Sequence, residues 1–234
     1  MLYILATPIG NLDDLAPRAC RALRAADVLA CEDTRRTRIL LDHAGIPRPP
    51  VVLSYREQTE TRAAERIAAY LAEGKTVALC SDSGYPGISD PGYRMLRLAV
   101  TQGLEFEVVP GASAVPLALL YSGLPTSSYL FKGFPPRKRG PLARFFEEER
   151  DRPHTLVFFE SPFRVAASLG AAREVLGDRE AAVCIELTKK FERIARGYLG
   201  DLHEQFDGKR IKGEVTVVIA GNNPKFSRRP AQVP

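Results

Sequence analysis

The stretch VALCSDSGYPGISDPG, residues 77–92, passes from a short apolar run into a long polar loop that ends where a helix begins. A run such as VALC is typical of a strand buried on both faces of a parallel sheet. The twelve residues from Ser81 to Gly92 include three Gly, two Pro, three Ser and two Asp. Because a plain connection needs only about two to six residues, we interpret this loop as one that presents backbone groups to a ligand. A long surface turn without a function is the alternative interpretation.

Strands and helices alternate on both sides of this stretch. The clearest helix is predicted over residues 60–73, where Gly74 follows at the position of a C-terminal cap. Strands that alternate with helices favour an open parallel sheet with helices on both faces, which is an α/β fold. The other predicted helices of the first half cover residues 91–102 and 114–121, and the predicted strands are Leu2–Ala6, Val28–Cys31, Val51–Leu53, Val77–Cys80 and Phe106–Val109.

A second α/β domain is predicted after SGLPTSS, residues 122–128, where Gly, Pro and hydroxyl residues interrupt the apolar pattern. Two of its predicted strands, 182–187 and 194–199, are too close for a helical crossover, so they form a hairpin and the sheet is mixed. We therefore divide the chain into an N-terminal domain (1–121), a C-terminal domain (122–222) and a flexible basic tail (223–234). The remaining predicted strands are 129–134, 155–159 and 215–220, with helices near 141–150 and 162–176.

The composition is that of a globular protein, with 45% hydrophobic and 26% charged residues. A formal net charge of +5 permits a polyanionic partner without requiring one. The four cysteines form no C-x-x-C pair, which argues against a zinc site or a disulfide framework and favours the cytoplasm; three of them (Cys31, Cys80 and Cys184) lie in apolar runs and are expected to be buried. We expect no membrane association, because no apolar run is long enough to cross a bilayer.

Two further loops follow predicted strands at the edge where open α/β sheets bind ligands. TPIGNLDD, residues 7–14, matches neither the G-x-G-x-x-G dinucleotide motif nor the G-K-[ST] ending of a Walker A loop. It is either a ligand loop or an ordinary strand-to-helix turn. PGASA, residues 110–114, enters a helix, and Ser113 is either a helix N-cap or a ligand contact.

Recognisable motifs follow one another along about nine-tenths of the chain. They are LATPIGNLDD (5–14), CEDTRRT (31–37), SDSGYPGISDPG (81–92), VPGASA (109–114), GLPT (123–126), FKGFPPRK (131–138), FFESPFR (158–164), ELTKKFE (186–192) and KGE (212–214). In this order they resemble the tetrapyrrole-methylase-like methyltransferases and, within them, the ribosomal RNA small subunit methyltransferase I family. The chain departs from the family pattern twice, since G-Y-P at 84–86 replaces the usual G-T-P, and SYREQTE at 54–60 replaces a His/Asn-rich segment.

The resemblance implies an S-adenosylmethionine-dependent homodimer that needs no metal and methylates the ribose 2′-hydroxyl of a cytidine in the decoding region of 16S ribosomal RNA. Its partner would be ribosomal RNA or the small ribosomal subunit. Carried over motif by motif, the cofactor-binding residues are Pro8, Ile9, Gly84, Tyr85, Ile88, Ser113, Ala114, Phe159, Leu187, Gly213 and Glu214.

Catalysis on a ribose hydroxyl calls for a general base, or for a lysine that stabilises the alkoxide. We assign Lys189 of ELTKKFE first and Glu32 of CEDTRRT second. The alternative is that residues 32–34 only start a helix and that the lysines belong to a solvated run of charge.

Two basic clusters are the predicted RNA-binding residues, since cationic clusters neutralise phosphates. Either cluster is alternatively ordinary solvated surface. The nearby aromatic residues Tyr55, Phe131 and Phe134 are all candidates for stacking on an unpaired base, although core packing is preferred for Phe131 and Phe134. The clusters are RRTR (35–38), from which Arg35 and Arg36 are assigned, and PPRKRG (135–140), from which Arg137, Lys138 and Arg139 are assigned.

Other functions remain open from the sequence. The same cofactor domain can methylate a tetrapyrrole or a protein side chain, although relatives that act on tetrapyrroles usually carry a glycine-rich first loop and a G-D-P triplet. A non-enzymatic module that binds S-adenosylmethionine or a nucleotide is the third possibility.

Overall fold

The computed structural model describes residues 1–228 and contains two compact units, Met1–Ser113 and a second that begins at Ala114. The sequence-based boundary, between residues 121 and 122, falls later in the chain. The difference is the apolar helix over residues 114–122, which packs on strands of the second unit.

The first unit is a parallel five-stranded sheet with the order β3-β2-β4-β1-β5. Helices α1 and α2 pack on one face and α3 and α4 on the other, as two separate apolar clusters show. This confirms the predicted open parallel sheet with helices on both faces. The strands are β1 (Leu2–Leu5), β2 (Val28–Cys31), β3 (Val51–Ser54), β4 (Val77–Cys80) and β5 (Phe106–Val109), and the helices are α1 (Pro17–Ala25), α2 (Thr34–His43), α3 (Glu60–Ala72) and α4 (Tyr93–Gln102).

The second unit has a mixed sheet with the order β6-β7-β10-β8-β9, in which only β6 and β7 are parallel. The predicted hairpin is confirmed as the β8–β9 pair. Helices α6, α7 and α8 cover one face, and α5 contacts β8 and β10. The elements are α5 (Ala114–Ser122), β6 (Tyr129–Phe131), α6 (Arg139–Glu147), β7 (Thr155–Glu160), α7 (Val165–Leu176), β8 (Glu180–Ile185), β9 (Arg193–Tyr198), α8 (Leu199–Phe206) and β10 (Val215–Ile219).

Two features of the second unit differ from the sequence-based expectation. Helix α8 was not predicted, and it begins directly after β9 without an intervening loop. The first part of the predicted loose tail is held in place, because Arg228 forms ion pairs with Asp178 and Asp201. The rest of that tail, residues 229–234, lies outside the described residues.

Cys31, Cys80 and Cys184 are buried thiols, as predicted. Desolvation raises the pKa of each of these three thiols. Over residues 1–228, no helix combines the length and the apolar character needed to cross a membrane.

Candidate active site

The three loops singled out in the first unit are joined by hydrogen bonds at the carboxyl edge of the parallel sheet. The backbone N–H of Thr7 donates to the Gly84 carbonyl at 2.9 Å, and the Gly84 N–H donates back to the Thr7 carbonyl at 3.1 Å. The Thr7 hydroxyl also donates to the carbonyl of Ser81 at 3.2 Å. The third loop is attached through Tyr85, whose hydroxyl accepts from the Gly111 N–H at 3.0 Å. The loops therefore form one connected surface.

Tyr85 thus gives the unusual G-Y-P triplet a structural role. A threonine at this position, as the family pattern has, carries a much shorter side chain than the tyrosine that reaches Gly111. Gly84 itself has φ +71°, in the left-handed region that favours glycine. Ile9 lies against Gly84, since its Cγ2 is 3.7 Å from the place where a Cβ would stand.

The predicted cofactor residues of the first unit converge on this surface. Pro8 and Ile9 are buried beneath it, whereas Ile88 is 49% exposed on the second loop. Ser113 is half-buried and stands directly before the first residue of α5, which is Ala114. An apolar base beneath exposed loop backbone provides both apolar contact and hydrogen-bonding groups for a ligand.

Glu60 fixes the far end of the long loop. Its Oε1 accepts from the backbone N–H of Gly92 at 2.9 Å and of Arg94 at 3.0 Å, at the start of α4. The Tyr55 hydroxyl donates to the same oxygen at 3.2 Å. Tyr55 and Glu60 both come from SYREQTE, so the departure at 54–60 supplies a carboxylate for the N-terminus of α4. Tyr55 is 1% exposed, and the suggestion that it stacks on an RNA base is wrong.

A pair of carboxylates lies where β2 and β4 end. Cys31 and Cys80 are partners in the register of these parallel strands, so Glu32 and Asp82, which closely follow them, come together. The Glu32 carboxylate accepts a hydrogen bond from the Asp82 backbone N–H. Burial raises the pKa of the Glu32 carboxyl, and the negative charge of Asp82 raises this pKa further.

Asp82 was not among the residues assigned from the sequence. Its Oδ1 accepts from the Asp33 backbone N–H at 2.9 Å, and its Oδ2 lies 3.6 Å from Nε of Arg36. On the other side, Arg56 donates to the Glu32 carbonyl at 3.2 Å. The available signal was positional, because Glu32 and Asp82 follow two apolar runs that parallel pairing places side by side.

The helix-start interpretation of residues 32–34 is also correct for part of this motif. Asp33 is the N-cap of α2 and accepts from the Arg35 backbone N–H at 2.9 Å. Hydrogen bonds from Arg35 lower the pKa of Asp33 well below its usual range. Arg35 is therefore paired with Asp33, whereas Arg36 extends toward Asp82.

In the second unit, Lys189 lies within a compact group of charges. Its Nζ is 2.8 Å from Oε1 of Glu186 and 3.1 Å from Oε2 of Glu214. The same Glu186 oxygen accepts from the Glu214 backbone N–H at 2.9 Å. Burial alone would lower the pKa of Lys189, but the hydrogen bonds and charges of the two carboxylates raise it. Lys189 is therefore a protonated cation at neutral pH.

Gly213 is required beside this group. A Cβ built on Gly213 would lie 2.2 Å from the Glu186 carboxyl carbon, and the φ of Gly213 is +92°. Glu186 and Thr188 also have positive φ, at 54° and 66°. Such backbone conformations cost roughly 1–3 kcal/mol each, so the ELTKKFE turn is held by its surroundings.

The predicted cofactor residues of the second unit meet at one edge of its sheet. Leu187 follows β8 and is buried, while Gly213 and Glu214 precede β10. Phe159 lies next along this edge, because Thr216 of β10 is its partner in the register. Its ring packs against Phe131 and Phe134, with ring centroids 4.8 and 5.5 Å away.

Phe134 begins the loop that carries the second basic cluster. It is 59% exposed, so the preference for core packing of Phe134 is wrong. Arg164 supports the loop by donating from Nη2 to the Pro136 carbonyl at 2.7 Å. Arg137 and Lys138 are exposed on it, and Arg139 begins α6 with a distant ion pair to Glu174 at 3.9 Å.

Among residues 1–228, no three or more His, Cys, Asp or Glu side chains are grouped so that they could hold a metal ion.

Comparison with known proteins identifies the family. The chain matches the family described as Tetrapyrrole (Corrin/Porphyrin) Methylases over residues 1–203. It belongs to this family. A relative from Halalkalibacterium halodurans named Ribosomal RNA small subunit methyltransferase I is 42% identical over 224 residues, which cover 96% of this chain and 77% of the relative. A relative of the same name from Thermotoga maritima is 40% identical over 220 residues, which cover 94% of this chain and 98% of the relative.

The fold of the chain is likewise shared with a solved structure. The crystal structure of the methyltransferase CobJ has a TM-score of 0.71 and 18% sequence identity to the chain, and the match covers 94% of each chain. The two-sheet α/β architecture is therefore that of the tetrapyrrole methylase-like fold.

Proposed function

We propose that this protein transfers a methyl group from S-adenosylmethionine to the ribose 2′-hydroxyl of a cytidine in the decoding region of 16S ribosomal RNA. The observation that carries the proposal is the identity of 42% and 40%, over 96% and 94% of the chain, to two relatives named Ribosomal RNA small subunit methyltransferase I. The choice of the 2′-hydroxyl and of a cytidine extends what those names state.

The connected loops of the first unit fit the cofactor. Buried Pro8 and Ile9 and the half-buried segment before α5 provide apolar contact for an adenosine, while the backbone of residues 84–88 offers hydrogen-bonding groups. In the second unit, Phe159, Leu187 and the Gly213–Glu214 turn are the proposed contacts. S-adenosylmethionine would supply an electrophilic methyl group on its sulfonium.

Glu32 is the proposed general base. A ribose hydroxyl becomes a good nucleophile only as its proton is removed, and a base is most effective when its pKa lies near the working pH. Burial and the neighbouring Asp82 move the pKa of Glu32 in that direction. Arg36 and Arg56 lie beside the pair and limit the repulsion between the two carboxylates.

Lys189 has the complementary role in the proposal. As a cation held by Glu186 and Glu214, it cannot act as a base without first losing a proton that both carboxylates favour. We therefore assign it to electrostatic stabilisation of the charge that develops during transfer. Of the two roles that the sequence leaves open for Lys189, the proposal therefore keeps stabilisation of the alkoxide and drops that of general base.

The substrate contacts are proposed for the two basic clusters. Arg36 adjoins the carboxylate pair, and Arg137, Lys138 and Arg139 lie on the loop supported by Arg164. A homodimer in the cytoplasm, where its ribosomal substrate lies, completes the proposal.

Mapping of transferred label tests the proposed reaction. The protein is incubated with methyl-labelled S-adenosylmethionine and small ribosomal subunits that lack the modification, and the label is located by nuclease digestion and mass spectrometry. We expect one methyl group on a cytidine ribose. Label on a base, on ribosomal protein or only on an added tetrapyrrole would contradict the proposal and support one of its rivals. Cofactor binding without any transfer would support a non-enzymatic module.

A further inference from the structure

A cavity of about 460 Å³ lies in the first unit beneath α2, apart from the joined loops. Its lining combines four apolar side chains, which we call the apolar floor, with three exposed arginines. Ligand pockets for small organic groups usually have about 300–1,000 Å³, so this space accommodates a nucleotide. The floor is formed by Leu29, Leu41, Ile46 and Val52, and the arginines are Arg35, Arg38 and Arg48.

The charge of the lining selects for an anion. Asp42 is the one acidic residue among the lining residues, and its Oδ2 is 3.6 Å from Nε of Arg38. Arg35 is engaged by Asp33. Side-chain exposure of 80% for Arg38 and 70% for Asp42 makes this pair weak and easily exchanged for a phosphate.

Arg48 is presented by a stiff segment. It lies in IPRPP, residues 46–50, between Pro47 and Pro49. Because proline fixes its own φ and restricts the residue before it, Arg48 is held near the cavity with little backbone freedom to lose on binding. Ile46 of the same segment is buried in the apolar floor.

The position of the cavity relates it to the proposed chemistry. Helix α2 starts beside the carboxylate pair, where Arg36 reaches Asp82, and its residues Thr37, Arg38 and Leu41 continue into the cavity lining. A strand of RNA bound at the pair can therefore continue along this helix. Guanidinium groups bind phosphates through paired N–H donors and stack on unpaired bases, and the apolar side chains of the same lining offer contact to the face of a base.

We propose that this cavity binds an unpaired nucleotide of the RNA next to the methylated one, with its base on Leu41 and Val52 and its phosphates on Arg38 and Arg48. The inference rests on the proposed function, because it takes the substrate to be RNA. Among the residues to which it assigns RNA affinity, Arg48 and the apolar floor lie outside both basic clusters.

The double variant Arg38→Gln/Arg48→Gln tests the phosphate contacts. The matched control is Arg62→Gln/Arg66→Gln, which removes two exposed arginines from α3 on the other face of the sheet. With unmodified small subunits as the probe, we expect the test variant to bind about tenfold more weakly in filter binding and to raise KM by a similar factor. The slope of log K against log salt should become shallower by about 1.4 in the test variant, because two phosphate contacts on a single strand are lost. Neither kcat nor the affinity for S-adenosylmethionine should change.

Val52→Phe tests the proposed contact between the RNA base and the apolar floor. The larger ring occupies the floor without altering charge, so we expect weaker binding with an unchanged salt slope. If the arginine variant and Val52→Phe both bind small subunits as tightly as the control does, the inference is wrong. Because filter binding needs no methyl transfer, this result is separate from failure of the proposed reaction, which would show as wild-type protein that binds subunits but leaves them unlabelled.

Discussion

At the scale of single residues, the Glu32–Asp82 pair gives the clearest link between position and chemistry. If Glu32 is the base, Glu32→Gln should lower kcat by about 10²- to 10⁴-fold while S-adenosylmethionine binding, measured by calorimetry, is retained. Asp82→Asn keeps an oxygen that can accept from the Asp33 N–H but removes the charge that helps to raise the pKa of Glu32. In Asp82→Asn the Glu32 carboxyl should therefore stay ionised down to a lower pH than in the wild-type protein.

The pH profile distinguishes a base from a structural carboxylate. A base works when deprotonated, so activity falls as the pH drops through the raised pKa of Glu32, and Asp82→Asn should shift this acidic limb of log(kcat/KM) to lower pH. Glu65→Gln, which neutralises an exposed carboxylate on α3, serves as the control and should leave the limb in place. An unmoved limb in Asp82→Asn, or near-normal turnover in Glu32→Gln, would show that the assignment is wrong.

Gly213 offers a second test at the residue scale. Gly213→Ala places a Cβ on the Glu186 carboxylate, so it should displace Glu186 from Lys189 and lower the free energy of unfolding by about 1–3 kcal/mol. Gly208→Ala is the matched control, since Gly208 has φ +64° but no atom within 4 Å of the added Cβ. It should show only the backbone strain of about 1 kcal/mol.

Two measurements separate a structural role of the Lys189 group from a catalytic one. Chemical denaturation reports the structural role, and single-turnover methylation reports the catalytic role. With S-adenosylmethionine saturating, so that a weaker cofactor contact at Gly213 does not contribute, we expect Gly213→Ala to lose turnover beyond what its reduced stability explains, because a displaced Glu186 no longer positions Lys189. If turnover of the folded variant equals that of Gly208→Ala, Lys189 has only a structural role in the ELTKKFE turn.

At the scale of helices and strands, the first unit was predictable and the second less so. Buried parallel strands such as β2 and β4 are uninterrupted apolar runs between polar loops, and this pattern can be recognised locally. Helix α8 follows β9 without a loop, so no turn residue marked its start. Its buried positions Leu199, Leu202 and Phe206 do have helical spacing, but the run is short and Leu199 also completes the apolar pattern of the predicted strand 194–199.

The site was predictable where it depends on loops and not where it depends on pairing. Loops with many Gly and Pro residues, such as residues 81–92, can be recognised from their composition. The roles of Asp82 and Glu60 depend instead on strand register and on contacts about thirty to fifty residues apart along the chain. The positions of Asp82 and Glu60 relative to their partners are fixed only when the sheet has formed. The same reason explains why Tyr55 was assigned to RNA and found buried.

At the scale of the whole molecule, the net charge of +5 matters less for RNA binding than where the cations lie. Charge reversal of the loop, Arg137→Glu/Lys138→Glu/Arg139→Glu, should weaken binding to small subunits and lower the salt slope by about two for three lost phosphate contacts on a single strand. The affinity for S-adenosylmethionine should be unchanged. Filter binding over a range of salt concentrations, with calorimetry for the cofactor, measures both.

A control with the same net charge distinguishes a local contact from long-range attraction. Lys209→Glu/Arg210→Glu/Lys225→Glu reverses three exposed cations elsewhere in the second unit. Net charge alone changes the rate and strength of encounter with any polyanion, so both triple variants would then weaken binding equally and the loop would have no special role. A larger loss of affinity together with a shallower salt slope in the loop variant identifies direct phosphate contacts, because the slope depends on the ions that such contacts release from the RNA.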